Sequence, residues 1–284
     1  MQCICFLSTD NLDDFFVYDE LLIPAFRARG CDVETVSWHA DNVNWQKYDM
    51  VIVRSTWDYQ QQPDAFIRTL AVINKQTTLQ NPFDLMRWNL DKSYLIDLQE
   101  AGVPTLPTTW ASTFDRPQLL AQFEEFETAK LVVKPTVSAN ADDTFVVTGK
   151  TFNEQIKALS ACFRQRPYMI QPFIDAIVQE GEYSLFYFGG TLSHAILKKP
   201  AEGDFRVQEE HGGSLKLVAA QPEMQAVCEQ VLGALPQRAL YARIDIVRFA
   251  HKWCIIEVEL IEPSLYFNLD SQSPQRFVEA VFAL

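Results

Sequence analysis

Three acidic residues near the C-terminal end of the chain have the type and spacing expected of a cation site. Glu257 and Glu259 are two residues apart in an apolar segment, so on a β-strand both side chains point to one face. Asp245 shares a face with Arg243 in the preceding strand-like segment. If the two strands pair, the three carboxylates converge, and like charges that close favour a bound cation such as magnesium. The alternative is an exposed sheet face that is merely acidic.

Two lysines occupy positions from which they can contact phosphate. Lys92 lies near the predicted start of a helix over residues 89–101, and Lys134 ends an apolar strand-like segment just before Pro135. A lysine at the end of a buried strand can meet a phosphate as a point charge. For either lysine alone, an ordinary role with the ammonium group in water is the alternative.

An apolar segment that stops at a proline can hold an adenine ring. The sequence Gln171-Pro172-Phe173-Ile174 predicts a strand edge with free backbone groups and two apolar walls, and Glu182 can accept hydrogen bonds from ribose hydroxyls. A plain strand end explains the segment equally well.

Cations for a phosphate or an acyl phosphate are predicted in two further places. Arg206 lies in a polar loop that runs to Gly212 and Gly213, and Lys198 is paired with Lys199. A guanidinium in a mobile loop suits bidentate phosphate contacts. Each of these side chains can also be an ordinary surface cation.

The elements that must position these residues fall into two parts. Strand-like segments at 3–7, 33–38 and 50–53 alternate with helical segments at 18–29 and 64–75, which predicts a parallel α/β sheet covered by helices. The later segments predict an α+β region with antiparallel pairs, including a hairpin over 183–197. Ligands gather beyond the carboxyl ends of parallel strands. The residues expected on the substrate side are Arg54, Ser55, Trp57, Asp58 and Tyr59, with Glu262 from the C-terminal part.

Composition excludes several classes of protein. The net charge of −13, from 37 acidic and 24 basic residues, disfavours nucleic acid as a partner. No apolar run approaches the roughly 20 residues that span a bilayer. The six cysteines are scattered, and the N-terminus lacks a signal-peptide pattern, so we expect reduced thiols and a cytoplasmic location. A homodimer is the default expectation for the oligomeric state.

Taken in order from about Asn81 to Tyr266, the segments resemble the ATP-grasp superfamily, most of all its glutathione-synthetase-like and D-alanine–D-alanine-ligase-like branches. The matching motifs are Asn89-Leu90-Asp91-Lys92, Val132-Val133-Lys134-Pro135, Gln171-Pro172-Phe173-Ile174, Gly181-Glu182, Arg206 with Gly212-Gly213, Arg243-Ile244-Asp245 and Glu257-Val258-Glu259. The segment Arg54–Tyr59, followed by Trp88-Asn89, is similar to a small subgroup that includes the cyclo-ligase closing O-ureido-D-serine to D-cycloserine.

This resemblance implies a pre-ATP-grasp domain over residues 1–88 and an ATP-grasp domain over 89–284, with a lid at about 107–172. It implies an ATP- and magnesium-dependent ligase that joins a carboxylate to an amine, or cyclises, through an acyl phosphate. A small-molecule kinase and a nucleotide-binding sensor without ligase activity are the alternatives. The implied roles are nucleotide binding by Lys92, Lys134, Ser138, Gln171, Pro172, Phe173, Ile174 and Glu182, metal binding by Asp245, Glu257 and Glu259, and catalysis by Lys198, Arg206 and Arg243.

Two features depart from the family pattern. The family usually has Glu-x-Asn where this chain has Glu257-Val258-Glu259, so the metal site gains a charge. The phosphate-covering loop, often rich in glycine, has none over Thr136–Ala141, where Ser138 and backbone amides are the expected donors.

Overall fold

The computed structural model of the chain describes residues 2–13 and 15–283, which build three β-sheets with helices around them. The strands are β1 (Gln2–Ser8), β2 (Cys31–Ser37), β3 (Met50–Ser55), β4 (Thr78–Gln80), β5 (Thr109–Ala111), β6 (Lys130–Pro135), β7 (Phe145–Thr148), β8 (Tyr168–Pro172), β9 (Glu182–Phe188), β10 (Thr191–Lys199), β11 (Ser214–Val218), β12 (Tyr241–Phe249) and β13 (Lys252–Glu259). The helices are α1 (Ile23–Ala28), α2 (Pro63–Gln76), α3 (Phe83–Asn89), α4 (Tyr94–Glu100), α5 (Arg116–Glu125), α6 (Phe152–Cys162), α7 (Asp175–Gln179), α8 (Pro222–Ala234) and α9 (Ser273–Ala283).

The N-terminal sheet is parallel, in the order β2-β1-β3-β4. The apolar strands β1 and β3 are buried almost along their whole length, because helices and loops cover both faces. The predicted parallel α/β sheet is therefore confirmed. Strand β3 runs two residues further than expected, to Ser55, so Trp57 and Tyr59 follow its carboxyl end.

The middle sheet is antiparallel, in the order β5-β8-β6-β7, and has a core of its own shared with α5 and α6. Strand β8, which was expected to be an edge, lies between β5 and β6. That prediction was wrong, because the short β5 was not recognised. The pairing between β5 and β8 stops at Ile170, however. Gln171 and Pro172 therefore extend beyond the end of β5 and pair only with β6.

The C-terminal sheet is antiparallel, in the order β11-β10-β9-β12-β13. The predicted hairpin is confirmed as β9 and β10, and Gly189 and Gly190 both adopt positive φ at its turn. The predicted pair β12 and β13 is also confirmed. A mixed α/β fold with one parallel and two antiparallel sheets follows.

Two predicted helices differ from those in the structure. The helix expected over 89–101 begins later, as α4, because residues 90–93 form a turn that contains Lys92 and follows α3. The turn is stable because the Asp91 carboxylate accepts hydrogen bonds from the Ser93 backbone and the Thr136 hydroxyl, at 2.9 and 2.8 Å. The helix expected over 18–29 begins as a 3-10 turn over 19–22 and continues as α1. The domain boundary at residue 88 and the lid limits stay predictions.

Buried polar contacts join the N-terminal and C-terminal sheets. The fully buried Asn81 side chain accepts from the Leu240 backbone amide at 2.7 Å and donates to the carbonyls of Tyr241 and Leu260 at 2.9 and 2.7 Å. The Tyr241 hydroxyl lies 2.8 Å from the carbonyl oxygen of Val53. Among residues 2–13 and 15–283, no helix is long and apolar enough to cross a membrane.

We expect Asn81→Ala to lower the free energy of unfolding by about 2–4 kcal/mol. The substitution leaves a backbone amide and two carbonyls buried without partners, each worth roughly 1–3 kcal/mol. Urea denaturation against wild type measures the change. Asn74→Ala, on the exposed face of α2, is the control and should stay within about 0.5 kcal/mol of wild type. Equal stability of the two variants would show that the Asn81 contacts do not hold the sheets together.

Candidate active site

A cavity lies where the three sheets meet, and most of the predicted site residues line it. Its empty volume is about 1630 Å³ when the open mouth and the solvent in it are included. The lining residues that sequence analysis had named are Trp57, Tyr59, Lys92, Lys134, Ser138, Gln171, Pro172, Phe173, Ile174, Glu182, Lys198, Arg206, Arg243, Asp245, Glu257, Glu259 and Glu262.

Strand pairing brings the three carboxylates together as expected. Asp245 lies opposite Glu257, and Arg243 opposite Glu259, so all four side chains share one face. Arg243 bonds to Asp245 at 2.9 Å and also to Glu259. The patch lines a cavity, and Asp245 is buried, so the interpretation as an exposed acidic face is wrong.

The electrostatic environment differs between these acids. Burial raises the pKa of Asp245, but Arg243 and Lys198 outweigh it and hold the pKa well below its usual range. Burial raises the pKa of Glu259 to about 7, and the charges of Asp245 and Glu257 add to this while Arg243 opposes it. The protonated form is therefore more favoured at Glu259 than at Asp245.

The donor set fits magnesium. Across the part of the chain that the structure describes, no three His, Cys, Asp or Glu side chains are grouped closely enough to hold a metal by themselves. Magnesium does not need such a cage, because it is commonly held by one or two carboxylates together with substrate phosphates and water. The paired strands offer carboxylate oxygens of this kind, on Asp245, Glu257 and Glu259.

Three lysines differ in how they are engaged. Lys92 Nζ donates to the Ser138 carbonyl at 2.6 Å and lies 3.0 Å from Glu257. Lys198 is buried between Glu182 and Asp245, 3.3 Å from Asp245. Lys134 makes no salt bridge with the described residues; burial lowers its pKa, Glu257 partly offsets this, and Lys92 adds to it. Lys134 thus lines the cavity without a carboxylate partner among the described residues.

The segment after Ile170 forms an apolar wall of the cavity. Gln171 Nε2 donates to the Thr108 hydroxyl at 2.9 Å, and the Phe173 amide donates to the Lys130 carbonyl at 3.0 Å. These bonds fix the chain beyond the end of β5. Glu182, expected to contact a ribose, is buried and bonds to Lys198.

The loop over residues 200–213 covers one side of the cavity. The Arg206 guanidinium is held by Asp204 at 2.7 Å, and Glu209 accepts a hydrogen bond from the Tyr18 hydroxyl at 3.0 Å. At Gly213 a Cβ atom would overlap the Val207 carbonyl, so the fold of this loop requires glycine. The phosphate-covering loop reaches left-handed conformations without glycine, at Asn140 and Ala141.

The residues predicted for the substrate side divide between two locations, and their role stays a prediction. Trp57 and Tyr59 line the cavity, and Trp57 Nε1 donates to the Glu262 carbonyl at 2.8 Å. Arg54, Ser55 and Asp58 do not line it.

These three side chains are engaged elsewhere. Arg54 is buried against Asp19 at 2.9 Å and the Pro263 carbonyl at 3.2 Å, and Ser55 is buried at the end of β3. Asp58 accepts from Trp38 Nε1 at 2.7 Å, and its carboxylate also bonds to His39 and Thr9.

Sequence reasoning missed several residues of the cavity wall. Phe15 packs on Trp57 with ring centroids 5.1 Å apart, and the Tyr94 hydroxyl accepts from the Val258 amide at 2.7 Å. Phe205 also lines the cavity. Phe15 lies in a loop that carries no motif, so the sequence gives no signal for it. Tyr94 could have been predicted, because it follows Lys92 by two residues.

This arrangement of sheets and cavity is that of an ATP-grasp protein. A D-alanine–D-alanine ligase from Bacillus anthracis has the same fold, with a TM-score of 0.69 over 100% of this chain and 97% of its own, at 12% identity. Residues 100–273 match the family described as prokaryotic glutathione synthetase, ATP-grasp domain. The chain belongs to this family, which binds ATP with magnesium, and is an ATP-dependent ligase that forms C–N bonds.

A second match covers the N-terminal sheet. Residues 4–81 match the N-terminal domain of D-cycloserine synthetase DcsG. The cycloserine biosynthesis protein DcsG of Streptomyces lavendulae is 29% identical over an alignment of 277 residues, which covers 92% of this chain and 91% of that protein. The crystal structure of D-cycloserine synthetase DcsG superposes with a TM-score of 0.85 over 98% of both chains, at 27% identity. The similarity therefore extends over nearly the whole chain, and confirms the resemblance to the cyclo-ligase subgroup.

We expect the free energy of unfolding of the ligand-free protein to decrease as pH rises, partly because of Glu262. Burial, together with the charge of Glu259, raises the pKa of Glu262 to about 8, whereas an unfolded glutamate titrates near 4.3. Between these values the folded state binds the extra proton, so the stabilisation is complete below the lower pKa and is lost as pH rises through the upper one. Glu262→Gln should remove a slope of up to about 1.4 kcal/mol per pH unit.

Urea denaturation of both proteins from pH 5 to pH 8.5 measures this difference. Glu100→Gln, at the exposed end of α4, should keep the wild-type slope. Parallel pH profiles for wild type and Glu262→Gln would contradict the raised pKa.

Proposed function

We propose that the chain activates a carboxylate of a small amino-acid-like substrate by transfer of the γ-phosphoryl group of ATP, and then joins it to nitrogen. The carboxylate oxygen attacks the phosphorus, ADP leaves, and nitrogen attacks the acyl carbon as inorganic phosphate departs. The observation that carries this is the convergence of Lys92 and Lys134, the apolar segment 171–174 and the acids of β12 and β13 on one cavity. The name of the D-cycloserine synthetase relative supports a cyclising form of this reaction, with both groups in one molecule.

The nucleotide would lie between the middle and C-terminal sheets. Residues 171–174 provide backbone groups beyond the end of β5 and the apolar side chains of Phe173 and Ile174 for the base. Lys134 would meet a phosphate, because it is the cavity lysine without a salt bridge among the described residues. Lys92 and Ser138, already bonded to each other, would form the opposite side of the phosphate site.

Asp245, Glu257 and Glu259 are the residues that would hold magnesium. When bound, magnesium neutralises charge on the phosphates and polarises them. Glu257 is held by Lys92, and Glu259 by Arg243, so the carboxylates are oriented before any cation arrives. Arg243 and Lys198 keep Asp245 ionised throughout.

Arg206 is proposed to contact the transferred phosphoryl group. In the ligand-free structure Asp204 holds its guanidinium, and a phosphoryl group offers a more highly charged partner with the same bidentate geometry. The loop that carries Arg206 would also exclude water, which would otherwise hydrolyse the acyl phosphate. Arg243 and Lys198, which both pair with Asp245, contribute further positive charge.

We expect Glu257→Gln to reduce magnesium-dependent ATP turnover at least about 100-fold, since groups that stabilise transferring phosphate are worth roughly 10²–10³ in rate. The measurement is release of ADP and phosphate with magnesium, ATP and a panel of amino acids and their O-substituted derivatives. Glu124→Gln, exposed on α5, is the matched control and should keep wild-type turnover. Thermal unfolding should show both variants folded.

Each of three other outcomes rejects part of this proposal. Unchanged turnover in Glu257→Gln would remove that residue from the metal site. A phosphorylated product that persists when no amine is available would indicate a kinase. Thermal stabilisation by ATP without any consumption would indicate a nucleotide sensor.

A further inference from the structure

Glu262 is a buried carboxylate at the cavity that lacks a cation. Its residue is 9% exposed, it lines the cavity, and it makes no salt bridge with any described residue. Removing a carboxylate from water without a counter-charge is expensive. The raised pKa of this group reflects that burial. The other acids of the cavity floor, Asp245, Glu257 and Glu259, are each paired with a lysine or an arginine.

Aromatic side chains lie close to Glu262 in the cavity wall. Trp57 Nε1 donates to the Glu262 carbonyl at 2.8 Å, which fixes the indole ring beside the residue. Phe15 packs on Trp57 at 5.1 Å, and Tyr59 is buried two residues after Trp57. Trp57, Phe15 and Tyr59 all line the cavity. Aromatic faces attract cations, most strongly where water is excluded.

We propose that Glu262 and the aromatic wall of Phe15, Trp57 and Tyr59 form a subsite for the ammonium group of the substrate. An ammonium ion supplies the counter-charge with which Glu262 can ionise inside the cavity, and its N–H groups can donate to the carboxylate while its charge lies against the rings. The acid adjacent to the wall in sequence, Asp58, cannot serve, because Thr9, Trp38 and His39 already occupy its oxygens and it does not line the cavity.

This assignment rests on the proposed ligase function and narrows its substrate class. An ammonium group bound to a carboxylate has no lone pair, so it is a recognition group and does not attack the acyl phosphate. The substrate then carries a carboxylate to be activated and an ammonium group that survives the reaction, and the nucleophilic nitrogen is a different one. An amino acid with a second nitrogen in its side chain meets these requirements within one molecule.

Probes that carry an ammonium group, and matched analogues that lack it, test the subsite. Dissociation constants are measured calorimetrically with magnesium and a non-hydrolysable ATP analogue bound. The probes are D- and L-serine against D- and L-glycerate, and D-cycloserine against N-acetyl-D-cycloserine. Wild type is compared with Glu262→Gln, which keeps the shape of the side chain and removes its charge. Glu180→Gln, whose surface glutamate pairs with Arg248 at 3.2 Å outside the cavity, is the control.

We expect at least one ammonium probe to bind wild type, and Glu262→Gln to weaken it about 30-fold or more, the lower end of what truncating a buried charge pair causes. The analogues that lack the ammonium group should not lose affinity in Glu262→Gln. Affinity for the ATP analogue and the magnesium requirement should be unchanged in the variant.

The proposal is overturned if no ammonium probe binds wild type, or if the variant weakens the ammonium probes and the analogues without an ammonium group equally. A higher magnesium requirement in Glu262→Gln would also overturn it, because Glu262 would then be a metal ligand. The ligase proposal fails separately, if wild type neither binds the ATP analogue nor consumes ATP.

Discussion

The register between β12 and β13 is the constraint on which the rest of the site depends. Asp245 lies opposite Glu257 and Arg243 opposite Glu259, and this pairing alone puts three carboxylates and a guanidinium on the cavity face. Because side chains alternate along a strand, a slip of one residue would send one strand's charges into the apolar side. The opposite face prevents this, since Ile244 and Val258 are paired and buried in the core.

The charges of the ligand-free cavity largely neutralise one another. Glu257 is held by Lys92, Asp245 by Arg243 and Lys198, and Arg206 by Asp204. A triphosphate with its cation must therefore exchange these partners instead of filling an empty charged pocket. Buried ion pairs of this kind add little net stability, because desolvation offsets their attraction. Their value here is that each group is oriented before the ligand arrives.

The sequence predicted the parts of the fold whose pattern is strong. Long apolar strands such as β1, β3, β12 and β13 were found, because burial imposes an unbroken or alternating pattern on them. Strands β4 and β5 have only three residues each, and the pattern of β11 is mostly exposed, so neither propensity nor periodicity marks them. Missing β5 made β8 look like an edge, which shows how one short element can change the role of its neighbour.

Residue positions were predictable where strand spacing alone fixes them. The acids of β12 and β13 were found because their spacing fixes a shared face, which needs no knowledge of distant contacts. Arg54 was misplaced for the opposite reason. It follows an apolar strand at the carboxyl edge of a parallel sheet, a position typical of ligand contact, yet Asp19 and the Pro263 carbonyl, far away in sequence, hold it in the interior.

The buried position of Arg54 still bears on the cavity. Pro263 follows Glu262, so a guanidinium anchored by the N-terminal sheet holds the segment that carries the unpaired carboxylate. Trp57, three residues after Arg54, binds the Glu262 carbonyl from the same sheet. Arg54 and Trp57 thus connect the N-terminal sheet to two backbone carbonyls of the C-terminal part. Of these two side chains, only Trp57 also lines the cavity. The geometry around Glu262 therefore depends on how the two sheets are docked. This explains why Arg54, outside the cavity, lies in the same short segment as Trp57 and Tyr59, which line it.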